Sequence, residues 1–190
     1  MGPTVISGLP AHILLVHVVL AIVPVAAVLV IVAGIWPGAR RWLNWLPPLA
    51  ALGALVAVPI TTHAGHWLED HLRGQVTPAI RHHVDLGNQM LPWVIALFAA
   101  SVIVWALARA EGLRSLAVGQ SRGGRPGTPA GATRSRSVTY GGARTGWFRG
   151  RSVKIIVAII ALVAAVGAVQ QVYRTGEAGS RAVWSGTFTN

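Results

Sequence analysis

With no cysteine among its 190 residues, this chain can hold a metal only through histidine, carboxylate, methionine or backbone oxygen. Histidine is the donor it concentrates. Five of the seven histidines, His63, His66, His71, His82 and His83, fall between Thr61 and Trp93, together with Glu69, Asp70 and Asp85. The other two, His12 and His17, stand near the start of the chain. His63, His66 and Asp70 are spaced i, i+3 and i+7, which on a helix places two imidazoles and a carboxylate on one stripe. That stripe is either an edge facing a metal or a polar face at a membrane surface.

Neutral imidazoles from separate helices are also the axial ligands of a b-type haem. His17 with His63, or His17 with His83, are the pairs to expect, and Arg73, Arg81 or Arg174 would meet propionates at the surface. The cofactor-binding candidates are therefore His17, His63, His83 and Arg73. For a transition metal they are His17, His63, His66, Asp70 and His83. No CxxCH pattern occurs, which excludes covalent haem attachment, and all seven histidines fall near one end of the spans described below, so a two-haem wire across the membrane is disfavoured. No nucleophile elbow or HExxH pattern is present either, and a self-contained enzyme is not the expected reading. The alternative, from a different class, is a membrane scaffold, sensor or partner subunit without a cofactor, its histidines titrating near neutral pH.

These residues need elements to position them, and composition says which. Hydrophobic residues make up 53% of the chain and charged residues 11%, outside the range of soluble globular proteins. An all-α bundle of four transmembrane helices is expected. Ile13 to Trp36 is long enough to cross a hydrocarbon core of about 30 Å, with Pro24 a kink in mid-span. A second span runs from Pro47 to about Leu68, a third from Met90 to about Ala110, and a fourth from Val153 to Tyr173. Small-xxx-small pairs, Ala50 with Ala54, Gly53 with Ala57, Ala161 with Ala165 and Ala164 with Ala168, suit close helix packing in lipid. Trp36, Trp42, Trp45, Trp93 and Trp184 are expected at interfaces.

Three regions follow: residues 1–110, with the first three spans and a His-rich outer loop at 69–90; a disordered basic cytoplasmic loop at 111–152; and the fourth span with a short outer tail at 153–190, where Gly176 and Gly179 suggest turns. The net charge of +11 is unevenly distributed. Twelve of the sixteen Lys and Arg flank the first and third loops, and only Arg73, Arg81, Arg174 and Arg181 lie on the other side. The positive-inside rule then puts both termini and the histidines outside the cytoplasm, in a multi-pass protein of a bacterial cytoplasmic membrane. The expected partners are the lipid bilayer, anionic head groups at the basic loop and a membrane or redox protein. Nucleic acid is not among them, because few aromatics interleave with the charges.

The stretches GLPAHILLVH (Gly8 to His17), TTHAGHWLE (Thr61 to Glu69), HVDLGNQMLPW (His83 to Trp93) and GEAGSRAVW (Gly176 to Trp184) touch all four spans. In them the chain resembles a bacterial four-helix predicted membrane protein family of unknown function, of actinobacterial type. The resemblance implies the four-span layout and makes His17 and His83 the motif histidines. This chain departs from it at His66, where members often carry an acidic residue, and at Val18 and Val19, where an aromatic-Pro pair follows the first-span histidine.

Overall fold

The computed structural model describes residues 5–6, 8–72, 76–123 and 143–184, apart from the side chains of 6, 9, 114–123 and 143–149. A two-residue hairpin, β1 (Val5–Ile6) with β2 (Leu9–Pro10), pairs Val5 with Pro10 and Ile6 with Leu9 and leads straight into the first helix. Six helices follow among the described residues: α1 (Ala11–Ile35), α2 (Pro37–Leu43), α3 (Leu46–His71), α4 (Pro78–Asn88), α5 (Met90–Gly123) and α6 (Ala143–Trp184). Four of them, α1, α3, α5 and α6, are long and apolar enough to cross a membrane, and they form the expected all-α bundle of a multi-pass membrane protein.

The bundle core is built from small residues. Ala26, Ala27, Ala51, Ala54, Ala161, Ala164, Ala165 and Ala168 are buried with Val23, Val30, Val94 and Leu97. In lipid there is little hydrophobic drive between helices, so stability comes from close contact, and small side chains permit it. Bulky apolar groups point the other way: Val25, Val28, Leu49, Ile95, Ile159 and Val163 are exposed, as a lipid-facing surface requires. Gly53 lies under the Ile22 side chain, whose Cδ1 is 2.6 Å from where a Cβ would stand. At Gly167, ring atoms of Trp93 occupy the Cβ position itself. Trp93, expected at the interface, thus packs against the bundle core through a notch in α6.

Three boundaries differ from the sequence reading. The outer loop at 69–90 contains a helix, α4, with Thr77 as its N-cap, accepting from the Ile80 amide at 3.3 Å, and Pro78 at the first turn. Helix also takes both ends of the segment expected to be disordered, since α5 continues to Gly123 and α6 begins at Ala143. Extending an existing helix avoids the cost of nucleation. Residues 124–142 lie outside the described ones. Finally, Gly176 and Gly179 make no turn, because α6 runs through them to Trp184. Their role is close approach: the Leu20 side chain comes within 3.6 Å of a Cβ position at Gly176, and the His83 ring within 3.0 Å at Gly179.

Candidate functional site

The described stretch Gly150–Trp184 of α6 is 35 residues long, which at about 1.5 Å per residue gives roughly 52 Å, well over a hydrocarbon core of about 30 Å. The surplus carries Thr175 and Gly179 up beside α4. On the far side of the same recess, the C-terminal half of α3 faces the first turn of α1. Between them lies a cavity of about 520 Å³ whose wall is almost wholly apolar, with His12, His17, His66 and His83 among the lining residues.

Two of these histidines are held in the same way. His12 Nδ1 lies 3.0 Å from the Thr61 carbonyl on α3, and His83 Nδ1 lies 2.9 Å from the Thr175 carbonyl on α6. Four residues beyond each threonine is a glycine, and each glycine lies under the ring. A Cβ at Gly65 would stand 3.0 Å from His12 Cε1 and Nδ1, and one at Gly179 would stand 3.0 and 3.1 Å from the same atoms of His83. The spacing explains the geometry. Residue i+4 sits one turn above carbonyl i on the same helix face, so a missing side chain there opens a helical carbonyl to a second donor. Thr-xxx-Gly is thus a histidine seat, used once on α3 and once on α6.

The seats also fix the tautomer. A carbonyl oxygen only accepts, so Nδ1 must carry the proton in each neutral ring, and the lone pair is left on Nε2. The rings lie with centroids 6.1 Å apart and planes at 77°. Neighbouring bonds hold the frame: Gln171, buried one turn below Thr175, donates to the Leu86 carbonyl at 2.8 Å and fixes α4 to α6. Thr61 returns its hydroxyl to the Ala57 carbonyl at 2.7 Å. Thr175 lines the cavity, while its hydroxyl is buried with no partner among the described residues.

The remaining candidates are differently placed. His17 lines the cavity but is exposed, and its Nδ1 donates to Ile13 in its own helix at 2.7 Å. His66 lines the cavity too, yet its Nε2 donates to Asn88 Oδ1 at 3.0 Å, so a hydrogen bond already engages that ring nitrogen, and its Nδ1 lies 3.8 Å from Glu69 Oε2. His63 and Asp70 are exposed and do not line the cavity. The structure therefore does not bring the stripe His63, His66, Asp70 to one ligand. Arg73 lies outside the described residues, and Arg81 and Arg174 are exposed away from the cavity wall. Among the described residues, no group of three or more His, Asp or Glu is arranged to hold a metal ion.

His12 is the residue that sequence reasoning passed over. Its position in the first turn of a span makes it look like an interfacial residue. The signal that could have found it is the repeated Thr-xxx-Gly, Thr61 to Gly65 and Thr175 to Gly179, in two helices expected to end on the same side. Comparisons with protein-family models, with curated proteins and with solved structures find no match to this chain.

Proposed function

We propose that this membrane protein binds one b-type haem in the histidine-lined cavity, where His12 and His83 would hold it. The observation that carries the reading is the matched seating of two imidazoles from separate helices, each with Nδ1–H donated to a carbonyl and Nε2 left as the donor atom. Backbone hydrogen bonding of this kind is how metal-ligating histidines are oriented and made more basic.

Three features of the cavity support the fit. Two metal–nitrogen bonds of about 2 Å each, extended by the distances from ring nitrogen to ring centre, separate opposed imidazole centroids by roughly 6.3 Å, and the observed separation is 6.1 Å. A bare Zn²⁺ asks for three or four protein ligands, whereas a porphyrin brings four nitrogens and asks two of the protein. The volume of about 520 Å³ and the apolar wall suit a flat hydrophobic macrocycle. When bound, the haem would supply one-electron redox chemistry, its potential tuned by the two axial imidazoles and by the apolar surroundings. The chain's own part is to orient the two rings and to exclude water with Val16, Leu20 and Val172.

Arginine placement supports a cytoplasmic location for the opposite end, so the haem would lie near the extracytoplasmic face of a bacterial membrane. The basic segment between α5 and α6 would meet anionic lipid, and a second redox protein would exchange electrons at the histidine end. The test is an absorption spectrum of the protein purified after haem-supplemented expression. A Soret band is expected in the wild type, and it should be absent from His12→Ala and from His83→Ala and retained in His63→Ala. No Soret band in the wild type, or one that survives both seat substitutions, overturns the reading and leaves the scaffold or partner-subunit alternative.

A further inference from the structure

A second cavity, of about 290 Å³, lies at the other end of the bundle between the end of α1, α2, the start of α3 and α5. Arg40, Arg41 and Arg109 line it with Asn44, Ser101 and Trp105, and no carboxylate is among its lining residues. Two of the three arginines are bonded, but only to neutral groups. Arg40 donates to the Ala33 and Gly34 carbonyls at 2.7 and 2.8 Å. Arg109 donates to Asn44 Oδ1 at 2.9 Å and lies over the rings of Trp45 and Trp105 at 5.5 and 5.4 Å. None of these contacts cancels charge. Arg41 has no hydrogen bond or ion pair among the described residues, and Trp105 Nε1 is buried with no acceptor among them.

A buried N–H without an acceptor is costly, and three guanidinium groups lining one cavity, two of them exposed, leave it with positive charge that no lining carboxylate offsets. One anion with several acceptor oxygens resolves both. Phosphate matches the guanidinium fork and, with a small turn of the Trp105 ring, can take the indole N–H on a further oxygen. The N-terminus of α3 adds a favourable field, but Pro47 and Pro48 in its first turn carry no N–H, so recognition falls to the side chains. Exposed Trp36, Trp42 and Trp45 mark this end as the level where head groups lie, and Ala33, Pro47, Val104 and Ala108 give the cavity an apolar side. We propose that this cavity binds a phosphate group, carried by an anionic phospholipid or present as the free ion.

The test uses the full-length wild type and an Arg41→Gln/Trp105→Phe variant, in which an exposed charge and one N–H are removed. Phosphatidylglycerol added to protein in zwitterionic detergent is counted per chain by native mass spectrometry, and inorganic phosphate is titrated calorimetrically in a separate arm. Loss of two charge-assisted or buried contacts should weaken binding by roughly tenfold or more. Retention of about one phosphatidylglycerol by the wild type, diminished in the variant, with inorganic phosphate silent, assigns a lipid site. Phosphate heat in the wild type that the variant loses, without lipid retention, assigns the free ion. Equal binding by both proteins in both arms, or none by the wild type in either, overturns the proposal.

Discussion

The two ends of the bundle handle polar groups differently. At the histidine end the polar links join helices far apart in the chain: His12 to Thr61 spans 49 residues, Gln171 to Leu86 spans 85, and His83 to Thr175 spans 92. Each of these three side chains donates to a backbone carbonyl. At the arginine end Arg40 reaches back only six and seven residues to cap α1, and Arg109 lies over two tryptophans that pack at 39° with centroids 4.1 Å apart. Lys154 and Glu111 add an ion pair at 2.9 Å, with both side chains near half exposed. One end is a shaped recess with oriented imidazole rings, and the other is a fixed cluster of charge. Each of those three links of the recess joins separate helices, whereas in the charge cluster Arg40 reaches only across the α1–α2 corner and Arg109 spans 65 residues to Asn44.

The contrast can be broken at the seats. Replacing His12 or His83 by alanine removes one of two axial donors and should abolish the Soret band of haem-loaded protein while the helical circular dichroism stays unchanged. A smaller disturbance comes from filling the glycine beneath a ring. Gly65→Leu or Gly179→Leu should displace the imidazole and lower haem occupancy severalfold, with Gly→Ala milder, because a Cβ at 3.0 Å asks the ring to give by only a few tenths of an ångström. Pigment titration with free haem reads both. Gly167→Ala tests the core between the two ends. Its Cβ would meet the Trp93 ring, so stability in detergent should fall by about 1–3 kcal/mol, with the Soret maximum unmoved.

At the charge cluster the effects should be smaller. Arg109→Gln removes the stacking cation and one side-chain bond, for which about 0.5–1 kcal/mol is expected, and thermal unfolding would detect it. Because the change lies at the far end, haem affinity should be unaltered. A shift in the spectrum on Arg109→Gln would mean the two ends are coupled rather than independent. The smallest effect belongs to His63→Ala, since that ring is exposed and does not line the cavity.

Much of this was legible residue by residue. The four spans followed from apolar run length, and the alanine stripes at Ala161, Ala165 and Ala168 reported their own burial. His83 was read as a site residue from its place in the polar stretch. His12 was not, because nothing within its own helix distinguishes it from His17, one and a half turns away. What separates them is which ring faces Gly65 and the Thr61 carbonyl, a property of how α1 packs on α3. The glycines of α6 misled for a similar reason: in isolation Gly176 and Gly179 read as turn residues, and only the approach of Leu20 and His83 reveals them as clearance in a continuing helix.

Composition and run length were enough for the number of spans, the bias of basic residues toward one end and the small-residue packing faces, because lipid demands long apolar helices that pack through small residues. Tertiary structure alone decided which two imidazoles meet, since that depends on the rotation of each helix about its axis. A turn of 100° per residue carries a neighbour in sequence onto a different face, and only packing against the other three helices selects the face that looks inward.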